Sequence, residues 1–306
     1  LNAPPRSPRP SAHALLREHG LQAKKGFGQN FLTDGHTAAR IAEAATPAAK
    51  NGQRCGTVLE IGPGLGALTV PLLERAERVI AIDRDPQMVN VLRQELSEEL
   101  TSGALTLHCE DAIAADWAAL LSTGPAPHAV VGNLPYLVTG RFLERAVELS
   151  AALPIVVFMV QKEVADRLLS APGTKEYGAL TVFVRAAFKP SRLCNVKSGS
   201  FFPKPNVDSA VVVLERSQDP TPETPMFRAL VKMAFAQRRK TLRNAWQGGP
   251  FSDAALEFAS NAAGIDRTRR GETLSLEEFR RMELELRQWD AAARAAHEAP
   301  EEPPAQ

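Results

Sequence analysis

From about residue 57 to residue 160 the apolar positions fall into two alternating kinds of run. Thr57 to Ile61, Val79 to Asp83, Ala104 to Cys109, His128 to Gly132 and Ile155 to Val160 are rich in Val, Ile and Leu and too short for helices, so they predict buried strands. Between them the spacing is helical. The glycine turn Gly62 to Gly66 opens a helix to about Glu77, and Asp85 caps another with Pro86 at its first position. Thr139 starts a helix to about Leu149, and Gln161 to Val164 opens one that stops before Pro172-Gly173. This alternation predicts an α/β fold built on a doubly wound parallel sheet. Leu180 to Phe188 and Ser209 to Glu215 read as the final strands, joined by a basic loop containing Phe201-Phe202-Pro203-Lys204-Pro205.

The pattern fades at both ends. Residues 1–20 combine Pro, Ser, Ala and Arg without periodicity and read as a disordered arm. Lys24 to Leu32 mixes basic, Gly and aromatic residues before Asp34, which caps a helix to about Ala45. Three Pro in the seven residues from Asp219 to Pro225 mark a linker. Beyond it helices are predicted near 227–237, 239–246, 252–262 and 275–288. The expected organisation is therefore an arm (1–20), an α/β domain (21–218), a small all-α domain (219–290) and a disordered tail (291–306).

Composition narrows the class. The 306 residues are 44% hydrophobic and 23% charged, as in an ordinary globular protein. No apolar stretch approaches the roughly 18 residues of a membrane span, and the N-terminus lacks a secretory core, so a cytoplasmic location is expected. The first residue is Leu, and the acid-poor, Arg-containing opening leaves an organellar transit peptide open. Cys55, Cys109 and Cys194 are too few and too scattered for a disulfide framework or zinc site. The six His likewise lack metal-ligand spacing, and no nucleophile–base pairing stands out, so no metal is expected.

The net charge of +1 hides a segregated distribution. Phe227 to Gly249 carries six basic residues (Arg228, Lys232, Arg238, Arg239, Lys240, Arg243) and Arg185 to Pro205 carries five, with no acid in either. Acids gather near the C-terminus. A charge run is often only a solvated face, but two acid-free basic segments favour a polyanionic partner.

The candidate chemistry sits at strand ends, where open parallel sheets bind ligands. The turn Gly62-Pro63-Gly64-Leu65-Gly66 lets a ligand approach the backbone, yet Gly62, Gly64 and Ala67 also satisfy the dinucleotide spacing, so it does not separate NAD from other adenine nucleosides. Asp83, 17 positions after Gly66, is placed to accept from two ribose hydroxyls, or forms a capping cluster with Asp85. At the next strand end, Glu110-Asp111, an acid is placed to accept from the amine of a cofactor's adenine, or caps a helix. Asn133-Leu134-Pro135-Tyr136 reads either as a strand-to-helix turn or as a receptor for a flat ring bearing an amine. In the second reading the Asn133 oxygen and the Leu134 carbonyl accept its hydrogens and Tyr136 stacks on it. A site without nucleophile or metal suits methyl transfer from S-adenosylmethionine, where the donor is already activated and alignment is the main task.

Six motifs in this order resemble the ribosomal RNA adenine N6,N6-dimethyltransferase family, from about Lys24 through the C-terminal helices. They are Phe27-Gly28-Gln29-Asn30-Phe31-Leu32, Glu60 to Gly66, Asn133 to Tyr136, Gln161 to Ala165, Phe201 to Ser209 and Arg238 to Leu242. The resemblance implies S-adenosylmethionine contacts at Asn30, Leu32, Gly62, Asp83, Asp111 and Asn133, with Gly64 in the same turn. It implies contacts to the acceptor adenine at Asn133, Leu134, Tyr136 and Phe201. It also implies dimethylation of two adjacent adenines in the 3′-terminal hairpin of small-subunit ribosomal RNA. The partner would be a pre-30S particle, bound by a monomer through Arg238, Arg239, Lys240 and Arg243. One departure is Asp83, where the family commonly has the longer Glu. Three alternatives remain: a large-subunit adenine methyltransferase conferring antibiotic resistance, a non-catalytic assembly or transcription factor, and an NAD-dependent dehydrogenase. The basic C-terminal motif speaks against the first and the intact site motifs against the second. The lack of a hydride-transfer His or second substrate domain speaks against the third.

Overall fold

A computed structural model describes residues 10–49 and 53–298. Nine strands form: β1 (Phe31–Leu32), β2 (Thr57–Ile61), β3 (Arg78–Asp83), β4 (Leu105–Cys109), β5 (His128–Asn133), β6 (Ile155–Gln161), β7 (Phe188–Val196), β8 (Phe201–Phe202) and β9 (Ser209–Arg216). Seven of them make one sheet in the order β4-β3-β2-β5-β6-β9-β7. The pairs among β2 to β6 are parallel, as the alternating pattern predicts. β9 runs antiparallel to both β6 and β7 at one edge. β1 and β8 pair separately, with Leu32 opposite Phe201.

The central strands are apolar because both faces are covered. All five residues of β2 are buried, and β6 is buried from Ile155 to Val160. The helices here are α1 (Ala12–Glu18), α2 (Gly35–Ala45), α3 (Thr69–Leu73), α4 (Pro86–Glu95), α5 (Ser97–Thr101), α6 (Trp117–Leu121), α7 (Thr139–Glu148) and α8 (Lys162–Leu169). Asp34 and Asp85 cap α2 and α4 through their side chains, as the sequence indicates. Strand order reverses between β2 and β5, which sets the switch-point crevice beyond Ile61 and Asn133.

The chain forms two compact units, Leu1–Leu169 with Phe188–Gln218, and Ser170–Ala187 with Asp219–Gln306. The second contains α9 (Ala179–Ala187), α10 (Pro225–Ala236), α11 (Leu242–Ala245), α12 (Asp253–Ala263) and α13 (Leu276–Glu298). They enclose a core of their own that includes Phe183, Phe227, Trp246 and Phe279. Among the described residues no helix is long and apolar enough to cross a membrane.

Several expectations are corrected. The segment read as a strand from Leu180 is helix α9, because its apolar residues bury a helical stripe against Phe227 and its neighbours. The sheet's outer strand is instead β7, whose Lys, Pro and Arg are tolerated at an edge. Residues 12–18 of the expected arm form α1, held by buried Leu15 and Leu16; residues 1–9 lie outside the described residues. The helix after the glycine turn is only α3, since the chain turns until Thr69. α13 runs on to Glu298, into the expected tail, and the rest of that tail lies outside the described residues.

Candidate active site

A cavity of about 530 Å³ opens at the switch point, a size that suits a small ligand. It is walled by the 26–32 segment, the glycine turn, Asp83, Asp111 and residues 133–138. Asn30, Leu32, Gly62, Gly64, Asp83, Asp111, Asn133, Leu134 and Tyr136 all line it. Phe201 does not. It is 5% exposed and packs in the sheet's core cluster with Leu32, because antiparallel pairing sets it opposite that leucine.

The glycine turn is shaped by close packing. Gly62 and Gly64 have φ of 67° and 54°, in the left-handed region. A Cβ on Gly64 would meet the Phe31 ring at 3.0 Å. Gly132, just before Asn133, lies so near β2 that a Cβ would stand 2.9 Å from the Ile61 carbonyl oxygen.

Asp83 ends β3 with both oxygens engaged. Oδ2 accepts from the Gly64 N–H at 3.2 Å and Oδ1 from the Asp85 N–H at 2.9 Å. Burial nevertheless pushes its carboxyl above the ordinary value, the two N–H groups offsetting only part of that cost. A ligand donating hydroxyls to the remaining lone pairs would favour the charged form. Ribose meets that need, and the short Asp reaches the glycine turn directly. At the end of β4, Asp111 Oδ1 accepts from the Ile113 N–H at 2.9 Å. Asp111 thus closes a turn and lines the cavity at once.

Asn133 is oriented by a group that sequence reading missed. Its Nδ2 donates to the Asn30 carbonyl at 2.8 Å, which fixes the amide and leaves Oδ1 as the end that accepts. The Leu134 N–H donates to the Met159 carbonyl. The next carbonyl, of Pro135, takes the Val138 N–H and the Thr139 hydroxyl. Pro135 has no N–H, and no described residue donates to the Leu134 carbonyl, which is left as an acceptor; Leu134 and Asn133 both line the cavity. The Tyr136 hydroxyl lies 2.8 Å from Ser209 Oγ, on buried β9. Burial pushes the Tyr136 phenol above its ordinary value, so the ring stays neutral at physiological pH.

The 24–32 wall is latched to the sheet by Asp85, only 1% exposed. Lys24 Nζ donates to Asp85 Oδ1 and Gln29 Nε2 to Oδ2, each at 2.8 Å, while Gln29 Oε1 accepts from the Lys24 N–H. Burial works to raise the Asp85 carboxyl, but the bonds from Lys24, the Gln87 N–H and Gln29 outweigh it and hold the group below its ordinary value. Asp85 was legible as a cap, and it is one. Its second task shows only once Gln29 is brought 56 positions along the chain to meet it.

In the helical unit Arg238, Arg239, Lys240 and Arg243 are all exposed. Arg238 is already engaged: its guanidinium donates to the Lys175 carbonyl at 2.5 Å, the Tyr177 carbonyl at 3.3 Å and Glu272 at 3.2 Å. Among the described residues Arg239, Lys240 and Arg243 form no ion pair.

The strand order, the glycine turn at its reversal and the Asn133–Tyr136 segment beyond β5 have the arrangement of a class I methyltransferase, a class supported by two solved structures. A dimethyladenosine transferase from Plasmodium falciparum superposes with a TM-score of 0.67 at 25% identity, covering 84% of this chain and 98% of that one. The 23S rRNA methyltransferase ErmE gives 0.61 at 27% identity, covering 85% and 100%. The chain belongs to the ribosomal RNA adenine dimethylase family, which it matches over residues 20–288. Ribosomal RNA small subunit methyltransferase A of Anaeromyxobacter sp. (strain K) is 43% identical over 284 residues, 90% of this chain and 98% of the relative.

Proposed function

We propose that this protein dimethylates N6 of two adjacent adenines near the 3′ end of small-subunit ribosomal RNA, using S-adenosylmethionine, during subunit assembly in the cytoplasm. The observation that carries the reading is the fixed amide of Asn133. With Nδ2 committed to the Asn30 carbonyl, Oδ1 and the Leu134 carbonyl are left as two acceptors on consecutive residues that line the cavity, the number a primary amine requires.

When bound, S-adenosylmethionine supplies a methyl group already activated on sulfonium. Asn30, Leu32, Gly62, Gly64, Asp83, Asp111 and Asn133 line the space for it, with Asp83 suited to ribose hydroxyls and Asp111 to the adenine amine. The acceptor amine is conjugated into its ring and weakly nucleophilic. Asn133 Oδ1 and the Leu134 carbonyl would hold its two hydrogens and turn its lone pair toward the methyl group, while Tyr136 stacks on the ring. The new C–N bond would form as the donor's S–CH3 bond breaks, leaving a neutral thioether; the positive charge would pass to the amine, which then gives up one held hydrogen as a proton to solvent. The exposed cations Arg239, Lys240 and Arg243 suit the RNA backbone, and we read the chain as acting as a monomer.

The likeness to ErmE keeps large-subunit RNA as a second substrate reading. The test is to incubate the protein with labelled S-adenosylmethionine and immature small subunits lacking the modification, then map the label by nuclease digestion. Label at two adjacent adenines of small-subunit RNA is expected. Label only on large-subunit RNA would overturn the assignment.

A further inference from the structure

The residue that follows the acceptor motif is a leucine in the open. Leu137 is 92% exposed, yet it sits on the cavity lip in the short turn Tyr136–Val138. That turn is closed by two hydrogen bonds: the Pro135 carbonyl accepts from both the Val138 N–H and the Thr139 hydroxyl, at 3.2 Å each. A second exposed apolar residue, Val207 at 44%, lies two positions before Ser209, whose hydroxyl meets that of Tyr136. The hydrogen bond therefore ties together the two segments that carry these apolar tips. Each segment also bears an exposed cation, Arg141 one helical turn beyond Leu137 and Lys204 near Val207. Neither forms an ion pair among the described residues.

An exposed apolar residue on the cavity lip, with exposed cations in the same two segments and next in the chain to the Tyr136 ring proposed to receive a base, matches the needs of a folded RNA partner. Drawing an adenine from a stack opens a gap, and proteins hold such gaps open with Leu, Ile, Met or Phe inserted between bases. The flanking cations suit the phosphates on either side of the opened step. We infer that Leu137 is the wedge that fills the stack when the acceptor adenine enters the cavity, with Val207 beside it and Arg141 and Lys204 on the backbone. This rests on the reading above, that the acceptor is an adenine in folded ribosomal RNA.

The test compares two immature small subunits reconstituted with different RNA. One carries the natural 3′-terminal hairpin, and the other carries the same hairpin with abasic nucleotides flanking the acceptor, where no stack has to be opened. Initial rates with labelled S-adenosylmethionine give kcat/KM for the wild type, Leu137→Ala and Leu137→Phe. Because the side chain is in solvent, neither substitution disturbs packing. Leu137→Ala should lose about tenfold on the stacked hairpin and less than about threefold on the abasic one, with Leu137→Phe keeping most of the activity. The variant should also give less 2-aminopurine fluorescence when that base replaces the acceptor. Equal losses on both hairpins, or no loss on the stacked one, overturn the wedge while leaving the methyltransferase reading intact. A wild type inactive on both hairpins overturns that reading and the wedge with it.

Discussion

Asn133→Asp tests whether the Asn30 carbonyl sets the acceptor geometry. The substitution keeps size and shape but replaces the donating Nδ2, 2.8 Å from that carbonyl, with a carboxylate oxygen. The lost hydrogen bond and the unsatisfied carbonyl together cost about 1–3 kcal/mol. Repulsion between two oxygens of about half a charge each at this distance adds roughly 1.5 kcal/mol at an effective dielectric of about 20. A total near 3 kcal/mol predicts about a hundredfold loss in kcat/KM at pH 8. The same energy favours the protonated acid and raises the new carboxyl above the ordinary carboxylate range. Its O–H then donates to Asn30 as the amide does. The ratio of variant to wild-type kcat/KM should therefore climb as pH falls from 8 to 6, measured by label transfer to the hairpin. Taking the ratio cancels any pH effect shared by both proteins, such as protonation of Asp83, whose raised carboxyl would accept ribose hydroxyls less well in acid. A pH-independent ratio, or a variant within about threefold of wild type at pH 8, would refute the proposed role of Asn30.

Other consequences are as direct. Asp85→Asn should lower stability by about 1–2 kcal/mol, allowing for solvent at Lys24, and weaken cofactor binding by loosening the 24–32 wall. Because the folded Asp85 carboxyl is held below its ordinary value of 3.8, its contribution is complete above that pH and lost as pH falls through the folded value. The Tm gap between wild type and variant should thus stay level above pH 3.8 and shrink as pH falls below it, and a gap that stays constant in that acid range would remove the latch. Ser209→Ala and Tyr136→Phe delete the same hydrogen bond, so in kcat/KM the double variant should match either single one within about 0.5 kcal/mol. Simple additivity would show that Ser209 acts elsewhere. Arg238→Ala should lower Tm through its lost bonds to Lys175, Tyr177 and Glu272. Replacing Arg239 and Lys240 together should leave Tm in place and reduce the salt slope of RNA binding by up to about 2. The opposite division of effects would exchange their roles.

Most of the sheet was legible because its parallel strands are buried on both faces and spell out continuous apolar runs, as β2, β5 and β6 do. The caps at Asp34 and Asp85 were legible because a short acid before a periodic stretch has one local use. Leu180 to Ala187 was misread because Thr, Val and Phe fit a strand, whereas tertiary packing against Phe227 selects the helix. β7 was missed because an edge strand with a solvated side shows little alternation. In the site, side chains declared themselves by type, as at Asn133, Tyr136 and Asp83. The groups that aim them did not. A backbone carbonyl at Asn30 carries no sequence signal, and Ser209 reaches Tyr136 from 73 positions away. Phe201 shows the converse, a residue type suited to stacking whose pairing opposite Leu32 buries it in the core.

The way the two units share the chain bears on how such a protein can be inherited. Ser170–Ala187 belongs with the helices but is spelled out between Leu169 and Phe188 of the α/β unit. A single break in the proline-rich stretch at 219–225 would remove α10 to α13 and leave α9 behind. Its Val182, Phe183 and Ala186 would then lack the core they share with Phe227, Leu230 and Leu274. That stump would be a sticky apolar ridge. A single crossover therefore cannot exchange one unit whole and leave the other intact.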